Sequence, residues 1–136
     1  VKVDTNGTNP ETVKLLHENG LADYFAMDIK NCKEKYPLTI GIDGYDIKNV
    51  EKTVEYFLSE NIDYEFRTTI IKEYHTLLDM EKIGEWIKGA KSYALQKFKD
   101  SDTCILRGLH EIGEETANEF LKTVKAYVPN SKLRGY

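Results

Sequence analysis

The apolar and polar positions of this chain alternate in blocks that predict strands and helices in turn. Short runs rich in apolar, aromatic and β-branched residues predict strands at residues 1–4, 24–27, 64–71 and 92–98. Apolar residues at helical spacing predict helices that begin near Thr8, Asp46, Thr76 and residues 111–114. This order predicts an α/β fold, with a four-stranded parallel sheet and outer helices, either barrel-like or open. Residues 132–134 are compatible with a further short strand.

Each predicted helix carries a stripe of apolar residues that we expect to face the sheet. In the first helix this stripe is Val13, Leu16 and Leu15. The stripes of the later helices are Ile47, Val50, Val54 and Phe57, then Met80, Ile83, Trp86 and Ile87, then Ala117, Phe120, Leu121, Val124 and Val128. Glycine and proline interrupt residues 31–44, which are predicted to form a loop with at most a helical turn at residues 33–38.

Charged side chains come at the ends of two predicted strands. Asp28 and Lys30 follow residues 24–27, and because side chains alternate along a strand they point to the same side. Asp4 ends the first strand in the same way. The carboxyl ends of parallel strands are where α/β proteins bind ligands. These charges therefore predict a shared functional rim, although a plain salt bridge between Asp28 and Lys30 is an equal alternative at this point.

Length and composition limit the possible classes of protein. The 136 residues fit a single domain, and 40% apolar with 31% charged residues is ordinary for a globular protein. A net charge of −4 argues against a nucleic-acid partner. No apolar run approaches the ~18 residues that a membrane span needs. No signal peptide is recognisable, so a cytoplasmic location is the default expectation.

The residues that most often bind metals show no metal-binding pattern. Cys32 and Cys104 lie far apart without a cysteine or histidine neighbour, so both are predicted to be plain thiols. His17, His75 and His110 lie on separate predicted elements, and none has a metal-ligand spacing to an acid or a cysteine. No metal ligand is therefore predicted in this chain.

The first residue of the chain lies inside a predicted strand, with nothing before it to cover its free edge. Exposed strand edges recruit other strands, and uncovered apolar surfaces find partners. If residues 1–4 are one strand of a larger barrel, the strand before them is missing. Its absence is also expected to uncover the apolar side chains that would face the interior of that barrel. The chain is therefore expected to self-associate through residues 1–3 and the open face of its sheet.

Five motifs follow one another along the chain. They are Asp4-Thr5-Asn6-Gly7, Ala26-Met27-Asp28-Ile29-Lys30, Phe66-Arg67-Thr68-Thr69, Trp86-Ile87-Lys88-Gly89-Ala90-Lys91 and Leu95-Gln96-Lys97-Phe98. In this order and spacing they resemble the radical S-adenosylmethionine activating enzymes of glycyl radical enzymes. The most similar branch is the activating protein of anaerobic ribonucleoside-triphosphate reductase, with pyruvate formate-lyase activase as its relative. The resemblance covers residues 1–98 and, more loosely, residues 132–136.

The resemblance implies the last part of a partial (β/α)6 TIM-like barrel. The three-cysteine CxxxCxxC loop that defines the family is absent, and neither Cys32 nor Cys104 matches it. The glycine-rich stretch that contacts the methionine end of the cofactor is absent as well. Residues 1–136 therefore look like a single domain, a truncated partial barrel from the carboxyl-terminal part of an activase, without its amino-terminal cluster-binding part.

The resemblance also gives roles to charged and polar residues at the strand ends. Asp28 and Lys30 match the family's Asp-x-Lys pair, which borders the ribose and the carboxylate of S-adenosylmethionine. Asp4 matches an acid near a cation site beside that carboxylate, and Arg67 matches an arginine close to it. Gln96 lies on the last motif, where contacts to the adenosine are less consistent. An ion pair of Arg67 with Asp28 or with the neighbouring glutamate is the structural alternative.

The activity implied by the resemblance belongs to the intact parent. There, a site-differentiated [4Fe–4S] cluster reductively cleaves S-adenosylmethionine, and the resulting radical takes a hydrogen from a glycine of the partner. That partner is a glycyl radical enzyme of the anaerobic ribonucleotide reductase or pyruvate formate-lyase type. A flavodoxin or ferredoxin is the expected electron donor. This chain alone has no iron–sulfur ligands, so it is expected to be inactive and to hold neither cofactor firmly.

Two other classes of protein remain open at this point. One is a stand-alone binding or interaction domain that keeps the scaffold without the chemistry. The other is a piece of a metal-dependent aldolase-type barrel that holds a divalent ion between Asp4 and Asp28.

Overall fold

Five parallel strands form one sheet in the structure, a computed structural model that describes residues 1–99 and 108–136. The strands are Lys2–Thr5 (β1), Tyr24–Asp28 (β2), Tyr64–Ile70 (β3), Tyr93–Lys97 (β4) and Ser131–Arg134 (β5). Their order in the sheet is β1-β2-β3-β4-β5, so each strand pairs in parallel with the next strand along the chain. The predicted α/β fold with a parallel sheet is confirmed.

The prediction of four strands was wrong, because the last residues form a fifth. β5 pairs with β4 over its whole length of four residues. Leu133 is its only apolar side chain, so the sequence shows almost no alternating pattern there. A short strand at the edge of a sheet needs little apolar surface, since only one of its sides is paired.

Five α-helices connect the strands in the described residues, with two of them in succession between β2 and β3. They are Pro10–Glu18 (α1), Tyr36–Ile40 (α2), Lys48–Ser59 (α3), Leu77–Trp86 (α4) and Glu114–Lys125 (α5). A 3-10 turn at Lys33–Lys35 leads directly into α2, so the predicted loop contains more helix than the single turn expected there. None of the helices in the described ranges is long and apolar enough to cross a membrane.

Side-chain caps fix where several helices begin. Asn9 accepts the backbone N–H of the third residue of α1 at 3.2 Å. Thr76 and Asp79 form a reciprocal capping box at α4, which confirms the predicted start. Asp46 accepts the N–H of Lys48 at 2.9 Å, although the N-cap of α3 is the residue after Asp46.

The apolar core lies between the helices and one face of the sheet. The strands contribute Phe25, Met27, Tyr64, Phe66, Ile70, Tyr93 and Leu95, and every helix packs at least one buried residue against them. The predicted stripes are confirmed in general, but Leu15 is 60% exposed and was wrongly placed inward. Val13 and Leu16 face the sheet from α1, and Leu15 lies about 100° around the helix from Leu16.

The opposite face of the sheet is charged. Because strand side chains alternate, the residues between the core positions point to this face. They include Lys2, Asp4, Asp28, Glu65, Arg67, Gln96 and Arg134. The expectation that this face is apolar was therefore wrong.

Candidate functional site

Asp4, Asp28 and Arg67 meet at the carboxyl ends of three neighbouring strands. Asp28 on β2 is directly opposite Arg67 on β3, and Asp4 lies on the adjoining strand β1. Arg67 donates from Nε to Oδ1 of Asp28 at 2.6 Å, and its Nη1 lies 3.5 Å from Oδ1 of Asp4. The parallel register thus brings together residues far apart in sequence, as the rim prediction requires.

The guanidinium of Arg67 is partly buried between these two carboxylates. Its side chain is 16% exposed, compared with 33% for Asp28 and 62% for Asp4. Burial lowers the pKa of Arg67, but the hydrogen bond and charge of Asp28, with those of Asp4, outweigh burial and raise it. The rim therefore holds a permanent cation that contacts its acids through Nε and Nη1. The described contacts use Nε and one position on Nη1, so the Nη2 group and the second N–H of Nη1 can donate to a ligand carboxylate.

Lys30 joins the same group of charges. Its Nζ lies 3.5 Å from Oδ2 of Asp28, so each oxygen of that carboxylate faces a different cation. The salt bridge proposed as the plain alternative is therefore present, as is the pair between Arg67 and Asp28. Both side chains of the Lys30–Asp28 pair are partly exposed, so this pair alone contributes little to stability.

Gln96 lies apart from these four residues. It is on β4, opposite Thr69 of β3, and the Thr69 hydroxyl is 3.4 Å from its Oε1. It shares the charged face of the sheet with Arg67, but no hydrogen bond joins the two side chains in the described structure. Four of the five predicted site residues form one group, and Gln96 is a neighbour of that group.

A tight turn after β1 supports Asp4. Gly7 has a positive φ of 78°, and a Cβ there would collide with the end of the Met27 side chain. The carbonyl of Gly7 accepts a hydrogen bond from the buried Thr53 hydroxyl at 2.8 Å. The turn is thus attached to both β2 and α3.

The chain after Asp28 is held by buried side chains that the sequence did not reveal. The N–H of Lys30 donates to the Tyr36 hydroxyl at 3.0 Å. Asn31 is fully buried, and its Nδ2 donates to the carbonyl of Tyr74 at 2.8 Å and to Thr39 Oγ1 at 3.0 Å. A single asparagine in a loop gives no sequence signal for this role, because the Tyr74 carbonyl that it binds is 43 residues away along the chain.

His75 bridges the ends of β2 and β3. It is 4% exposed, with Nε2 2.9 Å from the carbonyl oxygen of Lys30 and Nδ1 accepting the N–H of Ile71 at 3.0 Å. Burial lowers the pKa of His75, and the carbonyl oxygens of Lys30 and Ile71, the latter 3.3 Å from Nδ1, act in the opposite direction because they favour the protonated ring. The uncharged tautomer with its proton on Nε2 satisfies both contacts.

Cys32 is a buried thiol that contacts the capping acid of α4. Its Sγ donates to Oδ1 of Asp79 at 3.5 Å, and burial raises the pKa of Cys32. Oδ2 of Asp79 lies 2.6 Å from Nζ of Lys35. Cys104 lies outside the described residues. Within residues 1–99 and 108–136, no group of three or more histidine, cysteine or acidic side chains is arranged to hold a metal ion.

The other two histidines have local partners. Nδ1 of His17 is 2.8 Å from the Tyr56 hydroxyl, and Nδ1 of His110 is 2.6 Å from Oε2 of Glu73. His17 lies on α1, whereas His110 contacts Glu73, two residues before His75.

A second ion-pair group lies on the charged face below the rim. Glu65 has a side chain only 6% exposed, and its Oε2 accepts from Nη2 of Arg134 at 2.9 Å. Nζ of Lys2 is 3.9 Å from its other oxygen. Long charged side chains therefore cover this face, and Ala26 and Ala94 beneath them are fully buried.

These features define a class of protein: a parallel α/β fold with a charged strand-end rim on the face opposite its helices. A Methanocaldococcus jannaschii protein named "Putative glycyl-radical enzyme activating enzyme" is 34% identical over 139 residues. The alignment covers 98% of this chain and 58% of that relative, so the chain spans less than two thirds of its length. The sequence resemblance to glycyl-radical enzyme activating enzymes is confirmed.

A solved structure has the same fold. The crystal structure of a domain of pyruvate-formate lyase-activating enzyme from Bacteroides vulgatus matches with a TM-score of 0.77, over 98% of this chain and 80% of that chain. Sequence identity is 15%, so this likeness concerns the fold alone. No family model matches the chain.

Proposed function

We propose that this chain is the carboxyl-terminal part of a radical S-adenosylmethionine activating enzyme for a glycyl radical enzyme. In this proposal its charged strand ends contact S-adenosylmethionine. The observation that carries the proposal is the position of Arg67 between Asp4 and Asp28 at the carboxyl rim of the sheet. The 34% identity to the activating-enzyme relative supports the choice of family.

The donor and acceptor chemistry of this rim fits S-adenosylmethionine. The cofactor carries a carboxylate, an ammonium group and ribose hydroxyls. A partly buried guanidinium binds a carboxylate well, and Asp4 and Asp28 accept hydrogen bonds from an ammonium or a hydroxyl. Lys30 adds a second cation beside Asp28. When bound in such enzymes, the cofactor supplies the sulfonium that is reductively cleaved; the residues of this chain bind and orient it.

A [4Fe–4S] cluster does not fit the described residues. Such clusters are held by several cysteine thiolates in one place. The sequence has two cysteines, and Cys32 is buried against Asp79 with a raised pKa. The proposal therefore assigns the cluster to a part of the intact protein outside this chain, and expects the chain alone to be inactive.

The proposed architecture is a single domain, residues 1–136, that forms the last part of a partial (β/α)6 barrel. Two features support it. Each strand pairs with its successor in the chain, as in a barrel, and all the described helices pack on one face of the sheet. The charged face then corresponds to the interior of the barrel.

The proposed partner follows from the proposed family. It is a glycyl radical enzyme, of the anaerobic ribonucleotide reductase or pyruvate formate-lyase type, with a flavodoxin or ferredoxin as electron donor. An aldolase-type metal site is not favoured by the geometry. Asp4 and Asp28 both face the guanidinium of Arg67, which already supplies the cation between them.

Titration of S-adenosylmethionine into the isotope-labelled chain tests the proposed site. We expect weak binding, with a dissociation constant on the order of millimolar, and resonance shifts centred on Asp4, Asp28 and Arg67. Arg67→Gln is expected to weaken binding about tenfold or more, because one contact to the carboxylate is lost. Lys132→Gln is the matched control, since Lys132 is an exposed cation in register with Ala94 on the same face.

Equal binding by both variants would place the site elsewhere. In the intact protein, Asp28→Asn is expected to reduce cofactor cleavage. Unchanged cleavage in that variant would contradict the proposed role of the rim.

A further inference from the structure

Lys30 lies where the sheet no longer determines the path of the chain. The last ladder bond of this segment runs from the N–H of Ile29 to the carbonyl of Arg67 at 2.8 Å. Both backbone groups of Lys30 are then bound by side chains from other segments. Its N–H donates to Tyr36 on α2, and its carbonyl faces Nε2 of His75, after β3. These two side chains replace the sheet as the support of the backbone on both sides of Lys30.

The imidazole of His75 is itself held in one orientation. Nδ1 accepts the N–H of Ile71, the residue directly after β3, so Nε2 carries the proton that points to Lys30. The ring is almost completely buried, which removes water as a competing partner. One side chain therefore connects the end of the strand that carries Arg67 with the segment that carries Asp28 and Lys30.

A second contact connects the same two segments. Nδ2 of Asn31 donates to the carbonyl of Tyr74, one residue before His75. The segment after β2 is thus bonded to the segment after β3 at two consecutive residues of each, Lys30 and Asn31 with Tyr74 and His75. A segment attached in this way keeps its side chains in a fixed geometry, which is what a preorganised binding site requires.

We propose that His75 is a positioning residue for the charged rim. Its Nε2–H fixes the peptide after Lys30 and so holds the Lys30 ammonium and the Asp28 carboxylate in the arrangement that receives the ligand. The identity of that ligand rests on the proposed function, whereas the fixing of the Lys30 peptide does not.

Two variants separate the two contacts of the ring. His75→Gln places a donor amide nitrogen near the position of Nε2 and loses the acceptor for Ile71. His75→Asn places an acceptor oxygen near the position of Nδ1 and loses the donor to Lys30. Ser131→Ala is the matched control for general destabilisation. It removes a buried hydrogen bond, from Ser131 Oγ to the carbonyl of Val128 at 2.6 Å, at the opposite end of the sheet.

Hydrogen exchange of the Lys30 and Asn31 amides is the first measurement, and it needs no ligand. We expect His75→Asn to accelerate exchange at both amides about tenfold relative to the global rate, and His75→Gln and Ser131→Ala to leave that ratio unchanged. The second measurement is the affinity for S-adenosylmethionine. It is expected to fall about tenfold in His75→Asn and to stay within about twofold in the other two variants.

Normal Lys30 exchange in a folded His75→Asn protein would overturn the proposal, as would an equal loss of affinity in all three variants. If His75→Asn does not fold, Tyr36→Phe removes the other partner of the Lys30 peptide and must then produce both effects. If the wild-type chain binds no S-adenosylmethionine, the proposed function fails. The exchange measurement still decides whether His75 fixes the rim.

Discussion

His75 shows how a single buried residue links the acid stability of this chain to its rim. The uncharged imidazole accepts the Ile71 N–H at Nδ1, and a proton there would replace that bond with a longer contact to the Ile71 carbonyl at 3.3 Å. Burial lowers the pKa of His75 below its ordinary value of 6.5. Of the charged groups that face it, Asp79 raises the pKa and Lys35 lowers it.

The lowered pKa predicts a loss of stability in mild acid. Below pH 6.5 the unfolded chain takes up a proton that the folded chain does not, so the free energy of unfolding falls as the pH drops. The slope from this residue is at most about 1.4 kcal/mol per pH unit. The loss ends once the pH is below the pKa of the folded state.

Urea unfolding from about pH 7.5 down to about pH 4.5 measures this slope. His75→Gln should lack this component, whereas the loss from Asp79 lies below this pH range in both proteins. The pKa of Asp79 is lowered: burial opposes the shift, but Lys35 and the Thr76 cap outweigh it, so its loss begins near its ordinary value of 3.8. Identical slopes in the wild type and His75→Gln would show that the ring does not titrate as described.

Single residues at strand ends could be predicted, whereas those in the connecting loops could not. Asp28, Lys30 and Asp4 follow apolar runs, and the alternation of a strand gives their direction without any structure. The Lys30 carbonyl that faces His75 and the Tyr74 carbonyl that binds Asn31 lie about 45 residues away along the chain, and no local pattern encodes such a contact. The preorganised part of the site was therefore not visible in the sequence.

At the scale of elements, a glycine of α4 allows this helix to lie close to the aromatic ring of Tyr127. Gly84 lies in the last turn of α4, and a Cβ placed there would lie 2.9 Å from Cγ of Tyr127, just after α5, and closer still to Cδ2. A helix interior normally prefers alanine to glycine by up to about 1 kcal/mol. Overpacking costs about 1–3 kcal/mol, so the collision is expected to outweigh the propensity.

Gly84→Ala should therefore lower the free energy of unfolding by about 1 kcal/mol or more, measured by urea titration. Tyr127→Ala provides the control, because it removes the ring that the new methyl group would strike. In that background Gly84→Ala should be neutral or stabilising. Destabilisation of equal size in both backgrounds would rule out the ring as the cause.

Long elements were predicted more accurately than short ones. The four longer helices have apolar stripes, which the 3.6-residue period makes visible, and α1 and α4 also begin with a capping side chain. α2 has five residues and β5 has four, so neither is long enough to repeat a pattern. These two short elements account for the extra helix and for the error in the strand count.

At the scale of the whole molecule, the strand order leaves β1 at one edge of the sheet. Its residues pair with β2 on one side, and no strand of the described residues pairs with the other. The open face is charged, so the apolar contribution that we expected to drive association is absent from it. The strand edge remains as a site where a second copy can pair.

We predict concentration-dependent self-association through this edge. Light scattering across a range of concentrations should show a mass that rises above that of a monomer. Val1 is 76% exposed next to Lys2, so Val1→Lys places a second charge at the edge and should lower the associated fraction. A monomer at every concentration, or an unchanged associated fraction in Val1→Lys, would contradict association through β1.

The match between strand order and chain order also affects synthesis on the ribosome. Each strand after β1 pairs with the strand made before it, and residues paired between the five described strands are at most 39 positions apart, as are Asp28 and Arg67. A nascent chain can therefore add its strands one at a time, because each finds a neighbour that has already emerged. Short separations keep the entropy of loop closure low at each addition. Translation can thus build this sheet from one edge to the other without waiting for the last residue.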